Sequence, residues 1–397
     1  MDNNEMDLTP EEELSKAILE QELPEDDFSD ELYEDTPEQD LPVEEKTMKK
    51  TKKKAKKKGT RVFLIVTCSI LALVLLLMVV ATVMVYRWLG LINRTDGYLP
   101  PMSDEEMQAY LEENTDPFDP DYTGEVIDPD DVEWGENSGL VHGEQVINIL
   151  LVGSDTRNPK ERGRSDSMIL CSYNRKTKTM VMTSLLRDMY VQIPGYQDNR
   201  INASYAFGGL QLLNKTLEKN LGVKVDGNFV IEFTGFAKVI DLVGGVDITL
   251  TQAEANYMNR KAVGSKMQGQ FKAGNTHLCG EDALFYARIR YIDSDFGRTQ
   301  RQRTVMMAVY NKCKNLSLTQ LYDLMDDVLP LMTTDLSNSD IMSLAGEFLP
   351  VLSEIKVENL HIPVNGSYRN ARIRNMAVLV PDLEANRRVL AEIISGD

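Results

Sequence analysis

Asn148-Ile-Leu-Leu-Val-Gly-Ser-Asp-Thr-Arg-Asn-Pro-Lys-Glu-Arg-Gly-Arg-Ser-Asp-Ser-Met-Ile-Leu170 is the stretch whose reading decides the fold. Its two apolar runs, Ile147–Val152 and Met168–Leu170, read as buried strands of an α/β sheet. The polar loop between them carries Gly153, Pro159 and Gly163 as breakers. Asp155 follows the first strand and Asp166 precedes the second. If the strands are neighbours, the two carboxylates converge at one sheet edge, where α/β folds hold ligands. Convergent carboxylates beside arginines such as Arg164 suit a hard divalent cation and a phosphate. Loop acids that cap helices or solvate a surface fit the same spacing.

Working outward, the pattern predicts strands at 147–152, 167–174, 179–186, 228–232, 246–249, 357–362 and 377–380. Helices are expected at 203–219, 233–243, 251–260, 280–287, 298–314, 317–329, 338–353 and 382–394. Strands mixed with helices in this order predict a three-layer α/β/α domain with a mixed central sheet.

Basic residues cluster late in this domain. Arg288 and Arg290 are spaced by two, so on an extended backbone they point the same way. Arg298 and Gln302 are spaced by four on a helix whose stripe continues through Val305 or Met306 to Val309. That stripe is otherwise apolar, so Arg298 is expected to point inward, where a guanidinium needs an anion. Asp295 can serve, as one member of a salt-bridge network. A pyrophosphate held by Arg187, Arg288, Arg290 and Arg298 serves equally, through bidentate contacts.

Five blocks in order carry a resemblance. After the opening stretch come Ser184-Leu-Leu-Arg187-Asp188-Met-Tyr-Val-Gln-Ile-Pro194-Gly195 and Asn199-Arg200-Ile-Asn202-Ala-Ser-Tyr-Ala-Phe-Gly208-Gly209. Asp241-Leu-Val-Gly244-Gly245-Val-Asp247 follows, and then Ala283 to Arg303 with Arg288, Arg290, Asp295, Gly297, Arg298 and Gln302. In these blocks the chain resembles the LytR-CpsA-Psr family over residues 145–390. The resemblance implies a phosphotransferase that moves a glycopolymer from a polyprenyl-pyrophosphate carrier to peptidoglycan. It implies Asp155 and Asp166 as ligands of Mg²⁺ or Mn²⁺, and as part of the catalytic set with Arg187, Arg288 and Arg298. Pyrophosphate contacts are implied at Arg187, Arg200, Arg288, Arg290, Arg298 and Gln302, with Asp295 and Arg164 in support. Arg200 stands where lysine is common, which keeps the charge and changes its geometry. A polyprenyl-pyrophosphate pyrophosphatase and a non-catalytic envelope regulator (a transcriptional attenuator) are the alternatives. A prenyl tail needs an apolar cleft. Leu321, Leu324, Met325 and Leu329, Ile341, Met342, Leu344 and Leu349, and Phe229, Ile231 and Phe236 are candidate walls, and each is also an ordinary core residue.

The chain of 397 residues has a formal net charge of −19 that is segregated. Residues 1–45 hold nineteen acids against one lysine, residues 46–61 hold nine lysines and one arginine, and residues 103–136 hold fourteen acids and no base. The remainder is near neutral, so the domain carries no nucleic-acid footprint. Residues 62–86 lack charge between Arg61 and Arg87, long enough to cross a bilayer. The lysine run precedes this span, so the N-terminus is expected in the cytoplasm and the domain outside, with the cytoplasmic membrane as a partner. The expected order is then a disordered tail at 1–61, with a short helix possible at Glu11–Leu23, a membrane helix at 62–89, an acidic spacer at 90–144 and the catalytic domain at 145–397. The spacer reads either as a reach toward the wall or as a strap on the domain. Cys171, Cys279 and Cys313 follow the span, an odd number whose spacing fits no zinc site. Cys171 reads as a small buried apolar residue.

Overall fold

A computed structural model describes residues 70–397 except residues 71, 114, 117–123, 136–144, 155–162, 164, 263–268, 291, 293–294, 352–353 and 396–397. The acidic tail with its expected helix, Cys68, Asp155 and Arg164 lie outside the described residues. The chain divides into two compact units, Met1–Leu77 and Met78–Asp397. In chain order the elements are α1 (Ala72–Leu89), β1 (Asn93–Arg94), α2 (Asp104–Glu113), β2 (Glu125–Val126), β3 (Val146–Ser154), β4 (Ser165–Asn174) and β5 (Thr179–Leu185). Then come β6 (Tyr190–Val191), β7 (Asn199–Arg200), α3 (Ile201–Leu221), β8 (Gly227–Glu232), α4 (Phe233–Leu242), β9 (Val246–Leu250), α5 (Gln252–Ala262) and β10 (Gly274–Leu278). The last are α6 (Gly280–Ala287), α7 (Asp295–Cys313), α8 (Leu318–Val328), β11 (Met332–Thr334), α9 (Asn338–Phe348), β12 (Lys356–Ile362), β13 (Tyr368–Ile373), β14 (Met376–Pro381) and α10 (Leu383–Ser395).

The central sheet runs β1-β11-β8-β3-β4-β5-β12. It is mixed: β3 pairs antiparallel with β4 and parallel with β8, and β5 pairs antiparallel with β4 and parallel with β12. The apolar runs of β3 and β4 are therefore neighbours, which meets the condition the sequence reading set. Alternation gives the sheet two apolar faces. Leu150, Val152, Met168 and Leu170 join the core formed with Leu213 and Leu217 of α3 and Leu390 of α10. On the other face, Leu151, Ser167 and Ile169 meet residues of α4, α6 and α7 across a cavity. Helices thus cover both faces, and the three-layer expectation holds.

The spacer's described residues form a strap on the domain. Asn93 and Arg94 extend the sheet edge beside Thr333 and Thr334. Tyr110 of α2 packs edge-on against Phe207, with ring centroids 5.1 Å apart. Gly97 accepts from the Gln211 backbone N–H at 3.0 Å. This last contact explains the Gly208-Gly209 pair. Gly209 has φ 68°, and a Cβ there would stand 2.6 Å from the Gly97 carbonyl, so the kink of α3 and the close approach of the strap both require glycine. Sequence patterning missed β1, β2, β6, β7 and β11, which at two or three residues are too short to show periodicity, and also β10 and β13, whose sequences are largely polar. It also ran the helix expected at 338–353 past its α-helical end at Phe348.

Candidate active site

Asp166 owes its aim to a bulge. The β3–β4 register pairs Gly153 with Ser167 and Ser154 with Ser165, so Asp166 is the extra residue on β4. A bulge turns one side chain out of the pleat, and such bulges recur beside functional sites. Arg187 lies in the turn after β5. Its Nη1 donates to Asp166 Oδ1 at 2.7 Å, and its Nε lies 3.5 Å from Asp188 Oδ2. Arg290 Nη2 stands 4.0 Å from the same Asp166 oxygen.

The start of α3 is fastened to this turn. Ile201 N donates to Met189 O at 2.8 Å, which points the first helical turn at the site. Arg200 precedes that turn and lies between Asp188 Oδ1 at 3.6 Å and Asp116 Oδ2 at 3.7 Å. Asp116 comes from the strap, fixed by the Ala377 N–H at 2.6 Å. Asn202, in the first turn, keeps a buried side-chain oxygen without a hydrogen-bond partner. A helix N-terminus favours anions through its free N–H groups and dipole.

Two further arginines arrive from α6. Arg288 caps that helix with φ −105° and ψ 2°, so the extended backbone expected between Arg288 and Arg290 is not formed. Both side chains nevertheless line the site, because the chain turns out of the helix there rather than running on as a strand. Arg288 also stacks on Phe233, 4.8 Å from the ring centroid. From α7 come Arg298, 2% exposed, and Gln302, whose Oε1 accepts from Ser167 Oγ at 3.3 Å. The inward aim expected of Arg298 is thus found. Asp295 begins α7, but its side chain is outside the described ones, as are Asp155 and Arg164 altogether.

Arg303 follows Gln302 by one residue, about 100° around α7, and so lies off the stripe of Arg298 and Gln302. It is 5% exposed and donates through Nη1 to Ser184 Oγ and, at 3.4 Å, to Leu360 O, and through Nη2 to Gln300 Oε1 at 2.6 Å. The sheet covers that side of α7, so a residue off the site's stripe is still buried. Burial lowers the Arg303 pKa.

These residues enclose a polar cavity of about 440 Å³ lined by Glu113, Asp116, Asp166, Arg187, Arg200, Asn202, Phe233, Arg288, Arg290, Arg298 and Gln302. Burial alone would raise the pKa of Asp166. The attraction and hydrogen bond of Arg187, with Arg290 and Arg298 behind it, outweigh burial and hold the carboxyl below its usual range.

An apolar cavity of about 230 Å³ adjoins it, and the two share Phe233, Arg288 and Gln302. Phe229, Ile231 and Phe236 line it as expected. The helices proposed as its other walls do not, apart from Val328 at the end of α8. Leu344 lines a separate groove, and Leu321 and Leu349 have undescribed side chains. The sheet itself supplies the wall through Leu151 and Ile169, with Leu284 and Met306 from α6 and α7. A further open groove of about 660 Å³, around Gln300, Thr304 and Asn311, shares no lining residue with either cavity.

Asp188, Asp116 and Asn202 were not singled out by sequence reasoning. Asp188 and Asn202 stand inside the quoted blocks and could have been found there. Asp116 lies in the acidic spacer, where no local signal separates it from its neighbours.

Residues 114–391 match the model of the LytR_cpsA_psr family. Among curated proteins, the regulatory protein MsrR of Staphylococcus aureus is 31% identical over 272 residues, which are 67% of this chain and 80% of that protein. The polyisoprenyl-teichoic acid–peptidoglycan teichoic acid transferase TagU of Bacillus cereus is 35% identical over 236 residues, covering 58% of this chain and 73% of TagU. Among solved structures, TagT of B. subtilis gives a TM-score of 0.52 at 27% identity, covering 64% of this chain and 92% of that one. A structure of TagT bound to LIIa-WTA matches with the same TM-score and coverage at 28% identity.

Proposed function

The chain belongs to the LytR-CpsA-Psr family, and from that premise we propose that it transfers a phospho-linked glycopolymer from a polyprenyl-pyrophosphate carrier to peptidoglycan. One observation carries the reading: a guanidinium-lined polar cavity opens through Phe233, Arg288 and Gln302 into an apolar one. A pyrophosphate with a prenyl tail has these two halves in this order.

In this reading Arg187, Arg288, Arg290 and Arg298 hold the pyrophosphate, with Gln302 at the junction and Arg200 beside the α3 N-terminus. Fixed positive charge stabilises the charge that develops on the phosphoryl oxygens. The acceptor hydroxyl attacks the sugar-proximal phosphorus. A new P–O bond forms, the P–O bond to the bridging oxygen breaks, and polyprenyl monophosphate leaves with that electron pair. Asp166, kept ionised by its arginines, is our candidate to receive the hydroxyl proton.

The donors fit a hard divalent cation. Asp166 offers carboxylate oxygens and Asn202 a buried side-chain oxygen without a partner, and we propose that Asp155 completes the set. So many guanidiniums around one carboxylate favour the cation only together with phosphate oxygens. When bound, Mg²⁺ or Mn²⁺ would add Lewis-acid charge neutralisation at the pyrophosphate.

The protein is membrane-anchored in this reading, since α1 is long and apolar enough to cross a membrane. We further propose that the N-terminus is cytoplasmic and the domain extracellular, on the strength of the lysine run at 46–61. The test is direct. The full chain in nanodiscs is incubated with lipid-linked glycan, Mg²⁺ and peptidoglycan oligomer, and coupled glycan is sought. Free glycan phosphate without coupled product would favour a pyrophosphatase.

A further inference from the structure

The last turn of α1 is fastened to the domain. Arg87 Nη2 donates to Asp326 Oδ2 and its Nη1 to Tyr322 Oη, both at 2.7 Å. Trp88 Nε1 donates to Asp326 Oδ1 at 2.9 Å, and its ring centroid lies 5.3 Å from that of Tyr322. Tyr322 and Asp326 are four apart on α8 and so share one face. The chain then stays attached. Asn93 Nδ2 donates to Pro330 O at 2.7 Å and Met332 O at 3.2 Å, and Thr95 N donates to Thr334 O at 3.1 Å.

Exposure changes sharply along this segment. Val83 and Tyr86 are 63% and 66% exposed, whereas Leu89 is 6% exposed. An apolar helix that ends in Tyr86, Arg87 and Trp88 has the composition of a lipid–water boundary. The residues that receive it, Asp326 to Met332, also contribute Val328 and Met332 to the apolar cavity.

We propose that α8 lies on the outer-leaflet surface of the bilayer, held there by Arg87 and Trp88, and that a prenyl tail passes sideways from the membrane into the apolar cavity past Val328 and Met332. This rests on the function and orientation proposed above. The partner of this face is lipid, because the apolar helix ends on α8 itself and no linker separates them. Asp323 and Asp327 of α8 keep the helix at the headgroups instead of among the acyl chains.

The test uses the full chain in nanodiscs, with a nitroxide at Thr319→Cys. Thr319 is exposed and shares the α8 face of Tyr322 and Asp326 at spacings of three and seven. Collision with membrane-dissolved oxygen and with a water-soluble nickel chelate gives its depth. The expected depth is the phosphate level, and the paired change Arg87→Ala with Trp88→Ala should move the label into bulk water. A label in bulk water in the otherwise unaltered chain overturns the proposal.

Activity supplies a second arm. The paired variant should lose about tenfold in transfer from a long-chain donor embedded in the disc, and nothing from a short-chain water-soluble donor. Equal loss on both donors, or loss on neither, also overturns it. Absence of transfer with both donors in the unaltered chain counts against the transferase reading, while the label depth still decides this one.

Discussion

Arg187 donates through Nη1 to Oδ1 of Asp166 at 2.7 Å, joining the turn after β5 to the bulge of β4. The pair is mostly shielded, with 17% and 16% of the side chains exposed. It sets the ionised state of the carboxylate on which the proposed chemistry depends.

Asp166→Asn should reduce transfer by about a hundredfold or more, the scale of a lost acid–base group. It should also change the acid limb of stability. A carboxyl whose folded pKa lies below its unfolded value adds stability above the unfolded pKa, near 4 for aspartate. That contribution fades as the pH falls below about 4 and through the folded value. Denaturant titrations across the acid range should therefore show a shallower loss for Asp166→Asn than for the unaltered protein. Parallel curves would mean that Asp166 is not held ionised in the fold.

Arg298→Ala and Arg303→Ala should separate function from folding. Both side chains are buried, but Arg298 lines the polar cavity and Arg303 bonds to Ser184, Leu360 and Gln300. A charge-assisted contact is worth roughly 1.5–3 kcal/mol. Arg298→Ala should thus weaken a polyprenyl pyrophosphate by about tenfold or more in calorimetry at fixed Mg²⁺. Arg303→Ala should lower the melting temperature and leave the affinity of the folded fraction unchanged. The reverse pattern would move the anion site to the other side of α7.

Met306→Trp should fill the apolar cavity. Each buried CH₂ is worth about 0.8 kcal/mol, so excluding even a few from the tail costs much of the affinity. Binding of a long-chain prenyl pyrophosphate should fall while inorganic pyrophosphate binds as before. Equal loss of both ligands would show that the cavity does not take the tail.

Cys171 tests the buried-strand reading. The structure leaves Cys171 half-buried on β4, not fully buried as its sequence suggested, but burial of its sulfur still pushes the thiol up to about 12, so it stays protonated at about pH 8. Alkylation of the native protein followed by mass spectrometry should leave Cys171 unmodified. Rapid labelling would place it on an accessible surface.

The sheet and most helices were legible because long apolar runs and helical stripes report burial locally. β3, β4, β5 and the helix at Gly280–Ala287 lie within a few residues of where the pattern placed them. Arg187, Arg200, Arg288, Arg290, Arg298, Gln302 and Asp166 come together as the ordered blocks suggested. What escaped depends on long-range contact. Arg303 is buried because the sheet lies over it, and Asp116 reaches Arg200 because the strap returns to β14. The wall of the apolar cavity comes from one face of the sheet, and alternation alone could not tell that face from ordinary core.

The stoichiometry of the products tests the central claim most directly. The full chain in nanodiscs, given labelled lipid-linked glycan, Mg²⁺ and peptidoglycan oligomer, should yield polyprenyl monophosphate and coupled glycan in equal amounts, with neither formed when the oligomer is omitted. Polyprenyl monophosphate released at the same rate without the oligomer, and no glycan on the wall fragment, would contradict the account.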